Sequence, residues 1–185
     1  MKKFVLGVIF ATIAMYLWGF LYWGINSVPY EAWKKTPDDA AAGEALLKHF
    51  PEDGTYHIPG PHHEEKVRNQ LYEQGPVAMV HITSREGRPA MDPSIMVQGF
   101  LLNLLVVFLL ALLLKQVSGA IPSYFSRIRF FAFLGVIAAL FVDGGDAVWW
   151  GISWEWKIFV AIYDASAIVI AGLVLSNFVA VPSKA

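Results

Sequence analysis

Three aspartates, Asp143, Asp146 and Asp164, lie within two long apolar stretches of the sequence. A carboxylate in the hydrocarbon of a membrane is costly, and there it usually marks a proton, ion or ligand site. Asp143 and Asp146 are three residues apart, so a helix places them on one face. Counting helical rise from the two ends puts Asp143 and Asp164 at similar depth. These positions are compatible with one polar cluster that opens outward, to which Gln98 and Asn103 on an earlier apolar stretch would add amides.

A purely structural role is open for the same acids. Gly144 and Gly145 directly follow Asp143, and a glycine inside a helix costs about 1 kcal/mol relative to alanine. The pair is therefore able to kink or end the helix there. Asp143 and Asp146 would then be solvated caps at the membrane interface, and Asp164 would form a hydrogen bond between helices. The sequence alone leaves both interpretations open.

Histidines form a second group with ligand chemistry, since imidazole binds zinc and copper. All five histidines fall within residues 26–94, and the four considered as candidate ligands are His57, His62, His63 and His81. Their spacing matches no known metal motif, and adjacent His62 and His63 point in different directions on a helix. His57 and His81 are neighbours only if the two short strands that carry them pair. We therefore expect solvated surface histidines, and a periplasmic metal site is the weaker alternative.

Other chemistry is poorly supported by the composition and motifs. The sequence has no cysteine, which excludes disulfides, thiolate metal sites and cysteine nucleophiles. The formal net charge of −1, with no basic stripe, argues against a nucleic-acid partner. Hydrolase and phosphate-loop motifs are absent from the sequence. We expect neither an enzyme nor a cofactor.

Long apolar stretches must position these side chains. The chain is 56% hydrophobic with a mean hydropathy of +0.50. Four stretches are each about 20 residues long, which at about 1.5 Å per residue spans a hydrocarbon core of about 30 Å. The predicted spans are residues 1–25, 95–114, 130–150 and 158–178. The predicted fold class is a membrane all-α four-helix bundle with a small α/β insertion outside the membrane.

The insertion is predicted to be residues 26–94. Turn and capping signals within it indicate helices near 40–50 and 63–74, and short strands near 55–58 and 77–83. About 55 residues of this kind have too little core for much independent stability.

Lysine and arginine are unequally shared between the short segments that connect the spans. The two chain ends and loop 115–129 carry six of them, whereas residues 151–156 of the loop 151–157 carry none. The positive-inside rule therefore predicts that both termini, including the tail 179–185, are cytoplasmic. Residues 26–94 are then predicted to be periplasmic. The first stretch is too long for a cleaved signal peptide and lacks an A-x-A site, which favours an uncleaved signal anchor.

Several short motifs together resemble a widespread, uncharacterised family of small bacterial inner-membrane proteins. They include Phe50-Pro51-Glu52-Asp53-Gly54-Thr55-Tyr56, Gly75-Pro76-Val77, Met91-Asp92-Pro93, Trp149-Trp150-Gly151 and Ala171-Gly172-Leu173-Val174-Leu175. The resemblance implies four membrane helices, an inner-membrane location and an extracytoplasmic domain between helices one and two. It implies no activity.

The sequence therefore favours a non-enzymatic accessory or interaction subunit, with the lipid bilayer and another membrane protein or complex as partners. The alternative is a small membrane protein that binds a proton, a cation or another ligand through its intramembrane carboxylates. The oligomeric state is not indicated.

Overall fold

The computed structural model describes residues 1–179, and these form two compact units. One unit contains Met1–Trp33 and the chain from Pro93 onward, and the other is Lys34–Asp92. In chain order the regular elements are α1 (Lys2–Gly19), α2 (Asp39–His49), β1 (Gly54–Ile58), α3 (Glu65–Gln74), β2 (Ala78–Ile82), α4 (Pro93–Val117), α5 (Tyr124–Ala139), α6 (Gly145–Trp149) and α7 (Trp154–Phe178). Wide π-helical turns extend α1 over Phe20–Ile25 and join α5 to α6 over Leu140–Gly144.

Four helical segments of the first unit are long and apolar enough to cross a membrane. They are Lys2–Ile25, Pro93–Val117, Tyr124–Trp149 and Trp154–Phe178. The predicted set of four apolar helices, accompanied by a small two-stranded sheet, is confirmed.

These helices pack around one apolar core. α1 packs against α4 and α7, and α5 packs against α7. Glycines allow the closest approaches: a Cβ on Gly135 would lie 2.7 Å from the carbonyl oxygen of Ala165, and one on Gly172 would lie 2.4 Å from Phe131. Phe131 is fully buried and fills the space that Gly172 leaves. The α5–α7 contact therefore depends on the absence of side chains at both glycines.

An arginine closes the end of α7. Arg127 is buried, and its Nη1 donates to the carbonyl oxygens of Ser176 at 2.9 Å and Val179 at 3.0 Å. The last carbonyls of a helix have no partner within the helix. A cation at this position satisfies two of them and also interacts favourably with the helix dipole.

Aromatic and polar contacts join the other ends of α1 and α7. Trp18 Nε1 donates to Ser166 Oγ at 2.9 Å, and the Tyr22 hydroxyl donates to the Phe159 carbonyl at 2.9 Å. Trp23 lies between the rings of Trp156 and Tyr163. This end of the helix pair is consequently fixed by hydrogen bonds as well as by packing.

The unit Lys34–Asp92 follows the predicted order of helix, strand, helix and strand. β1 and β2 pair antiparallel, with Gly54 opposite Ile82 and Ile58 opposite Ala78. Few residues in this unit are buried, namely Phe50, Pro59 and Gly60. An isolated two-stranded ribbon is only marginally stable in water. The packing of Phe50 on Tyr56 of β1 therefore contributes to the stability of the ribbon.

Candidate functional site

A lysine holds two of the three predicted carboxylates. Lys157, in the first turn of α7, places its Nζ 2.8 Å from Asp143 Oδ1 and 2.6 Å from Asp146 Oδ2. Sequence analysis had placed Lys157 in the loop 151–157. The structure moves it into the helix and makes it the counter-charge of the site.

The ion pairs differ in their exposure. Asp143 is 2% exposed and Lys157 is 8% exposed, whereas the side chain of Asp146 is 32% exposed. Asp146 also lines a surface cavity of about 520 Å³ together with Gly144, Gly145 and Trp149. Of the two aspartates that Lys157 binds, Asp143 is therefore enclosed by protein and Asp146 reaches the surface.

Two local features of the chain set this geometry. The helix continues through Gly144 and Gly145, which keep helical backbone angles, and the π-helical turn carries Asp143. The helix then ends at Gly151, whose φ of +66° lies in the left-handed region that glycine adopts freely. The N–H of Ile152 reaches back to the Asp146 carbonyl at 3.3 Å, as in a glycine-terminated helix end. The tight turn brings α7 back beside the two aspartates.

Asp164 completes the cluster. It lies on α7, two turns beyond Lys157, and it is half-buried and within electrostatic range of both Asp143 and Lys157. Oδ2 of Asp143 is buried and has no hydrogen-bond partner among residues 1–179. The structure therefore brings Asp143, Asp146 and Asp164 into one cluster, a convergence that the sequence alone left open.

The charges of the four side chains do not balance. Two carboxyl groups are paired with one ammonium group and a third, that of Asp164, lies within electrostatic range, so full ionisation would leave two excess negative charges in a largely buried place. Uncompensated buried charge is costly, and a group in such a place takes up a proton, a partner or a metal ion. The three aspartates do not form a metal-binding group of three within residues 1–179, so the arrangement is best suited to hold a proton, and a monovalent cation would have only the carboxyl groups of Asp143 and Asp164 as ligands.

The two amides expected at this site lie elsewhere. Gln98 is exposed and Asn103 is half-buried, and neither donates to Asp143, Asp146 or Asp164 within the described residues. The physical reason is the order of the helices, since α4 packs mainly against α1 while the acids lie on the α6–α7 side.

The histidines do not converge on a metal site. His57 faces Met79 across the ribbon and His81 faces Thr55, with His81 Nδ1 2.9 Å from the Thr55 hydroxyl. The rings of His62 and His63 lie against each other, 4.2 Å apart. Within residues 1–179 no group of three or more His, Asp and Glu side chains has a geometry that could hold a metal ion.

Lys157 is the residue that sequence reasoning missed, and the sequence does contain a signal for it. Asp146 lies five residues before Gly151, and Lys157 lies five residues after Ile152. In an antiparallel hairpin, positions equally distant from the turn lie side by side. With Gly151 taken as the centre of a tight turn, the sequence predicts that Asp146 and Lys157 lie side by side.

The sequence matches no protein-family model and no curated protein, and the fold matches no solved structure. The resemblance to small bacterial inner-membrane proteins stays a prediction.

Proposed function

We propose that this protein is a multi-pass membrane protein that reversibly binds a proton or a small monovalent cation at Asp143 and Asp164. The observation that carries the proposal is the buried Oδ2 of Asp143, which has no donor among residues 1–179 while both acids are ionised. It lies beside the Asp164 carboxyl group, close enough for the two to share a hydrogen bond once one of them is protonated. A buried acceptor without a partner costs about 1–3 kcal/mol, and more when it is charged. A proton or cation between the two carboxyl groups gives that oxygen a partner and lowers the excess negative charge.

Lys157 has a defined part in this proposal. It neutralises Asp143 through Oδ1 and leaves Oδ2 of the same carboxyl group available. Asp146 is partly exposed and lines the surface cavity. Its carboxylate therefore lies on the route by which a proton or cation would pass from that cavity to Asp143 and Asp164. No catalytic step is proposed.

The proposed location is the bacterial inner membrane, with both termini cytoplasmic and residues 26–94 periplasmic. Support comes from the lysine and arginine bias of the short segments. In this orientation the carboxylates lie near the periplasmic ends of the spanning helices, and Asp146 is the side chain through which the site meets that face.

The test measures thermal unfolding of the purified full-length protein at alkaline pH, in sodium, lithium, potassium or choline chloride at equal ionic strength. A ligand at a hundredfold excess over its Kd stabilises the folded state by about 2.7 kcal/mol. For a chain of this size that corresponds to a rise of about 5–10 °C in Tm. Lowering the pH should reduce the rise, because protons compete for the same oxygen.

Asp164→Asn is the informative variant, because it removes a carboxylate while keeping the side-chain size and leaving Lys157 paired. Glu44→Gln, on the exposed surface of α2, is the matched control. The proposal expects a cation effect, or a pH dependence of Tm, that is present in the wild type and in the control and is absent from Asp164→Asn. If wild type and Asp164→Asn respond identically to every cation and to pH, the site is structural and the proposal is wrong.

An accessory or interaction subunit is the second candidate, and a different observation favours it. The unit Lys34–Asp92 buries few of its residues and exposes large apolar side chains such as Leu47, Val67 and Val77. A partner protein would cover such a surface. Copurification after mild detergent extraction tests this candidate: a stoichiometric companion lost on replacing Leu47 and Val77 by serine supports it, and a companion retained by that variant contradicts it.

A further inference from the structure

A second cavity lies at the opposite end of α7 from the carboxylate cluster. Its volume is about 690 Å³, and it forms where α1 begins and where α4 and α7 end. Its basic lining residues are Lys2, Lys3 and Lys115, and its apolar lining residues include Phe4, Leu112 and Phe178. The cavity therefore joins a positively charged region to an apolar wall.

Within residues 1–179, the parts of the chain that line this cavity carry no acidic side chain. No aspartate or glutamate occurs in residues 1–30, 93–142 or 165–185. Within residues 1–179 none of the three lysines forms an ion pair. Three like charges around one cavity repel each other, so binding of an anion there is favourable.

Packing beneath the lysines holds the apolar wall open. Phe178 lies over Gly7, where a Cβ would come within 2.5 Å of the phenylalanine Cβ, and its ring packs on Phe10. On the other side, the ring of Phe4 packs edge-on against Phe108 of α4. These aromatic contacts fix the walls on α1, α4 and α7.

We infer that this cavity binds an anionic phospholipid, with its phosphate held by Lys2, Lys3 and Lys115 and its acyl chains along Phe4, Leu112 and Phe178. Basic pockets between helices on the cytoplasmic side are suited to anionic head groups. An apolar wall directly below three lysines matches a molecule with charge at one end and hydrocarbon at the other. The inference rests on membrane insertion but not on the carboxylate site.

The experiment measures binding to full-length protein in zwitterionic detergent, with lipid-bound species counted by native mass spectrometry. The probes are phosphatidylglycerol, phosphatidylcholine of the same chain length, and inorganic phosphate. Phosphatidylglycerol should bind in a salt-sensitive manner with a stoichiometry of about one, phosphatidylcholine weakly, and phosphate alone weakly because it lacks the acyl chains.

The test variant is Lys2→Gln/Lys3→Gln/Lys115→Gln, and the matched control removes three exposed lysines from the other unit, Lys35→Gln/Lys48→Gln/Lys66→Gln. A lysine near a membrane surface strengthens anionic lipid binding about fivefold, so the triple variant should lose affinity on the order of a hundredfold. The variant with arginine at the same three positions keeps the positive charges and should retain binding. Its binding would show that substitutions at these positions leave the protein folded. Equal binding of the two lipids, tight binding of phosphate alone, or unchanged affinity in the glutamine variant would each overturn the inference.

Discussion

Asp146 and Lys157 lie at equal distances along the chain from the turn between α6 and α7, and their Oδ2 and Nζ atoms are 2.6 Å apart. The same ammonium group also holds Asp143 at 2.8 Å. One ammonium group is therefore the counter-charge of two acids on the neighbouring helix.

Replacing Lys157 by methionine should destabilise the protein by about 3–5 kcal/mol, because it leaves Asp143 as an uncompensated buried charge. The double variant Lys157→Met/Asp143→Asn should recover much of that loss, since both halves of the buried pair are then neutral. Thermal unfolding of the four proteins of this double-mutant cycle gives the coupling energy. Lys35→Met, at an exposed site, is the control. If Lys157→Met has no larger effect than the control, the ion pair contributes no stability.

Gly135→Ala should destabilise the α5–α7 contact by about 1–3 kcal/mol, because the new methyl group would lie 2.7 Å from the Ala165 carbonyl oxygen. The control is Gly99→Ala on α4, where nothing lies within 4 Å of the added Cβ. That change should be neutral or stabilising, since alanine has the higher helix propensity. Equal Tm shifts for the two variants would contradict the close approach of the helices.

Arg127→Met should lower stability by about 1.5–3 kcal/mol, since it leaves the carbonyl oxygens of Ser176 and Val179 without their charged donor. Arg129, two residues further along the same helix, is exposed and serves as the control. Unfolding measured for Arg127→Met and Arg129→Met should differ by that amount. If the free energy of unfolding falls equally in both variants, the positive charge alone contributes to stability and the hydrogen bonds from Arg127 to the end of α7 do not.

Single cysteines test the topology without background labelling, because the natural sequence has none. Glu86→Cys and Gly119→Cys both place the thiol at an exposed position. In intact cells, an impermeant maleimide should label position 86 from outside and position 119 only after permeabilisation. Labelling of both positions from the same side would rule out the proposed arrangement of the spans.

Hydropathy and helical geometry predicted a large part of this structure. Four apolar helices long enough to cross a membrane follow from apolar length, and the similar height of Asp143 and Asp164 follows from counting rise per residue in two antiparallel helices. Lys157 was missed because a charged residue was taken to end an apolar span. In the structure it belongs to the helix, where two carboxylates offset its burial.

The positions of Gln98 and Asn103 show what such patterns omit. Their height along the axis of α4 follows from sequence position, but their neighbours depend on which helix lies beside which. Apolar faces that are nearly uniform around a helix do not specify that order. For α5 and α7, the close approaches at Gly135 and Gly172 determine that the two helices are neighbours. These approaches are contacts between helices, so the pattern of a single helix does not reveal them.

The tight turn at Gly151 has a consequence for how the protein enters the bilayer. On the translocon scale a lone Asp or Lys costs roughly 2.5–3.5 kcal/mol at the centre of a membrane-inserting helix, and the cost is smaller toward the helix ends, where Lys157 lies. Asp143 and Lys157 lie on opposite sides of the turn, so neither charge is paired until both segments have left the ribosome and folded back. The segments Tyr124–Trp149 and Trp154–Phe178 should therefore partition into lipid together, as one helical hairpin, rather than one after the other.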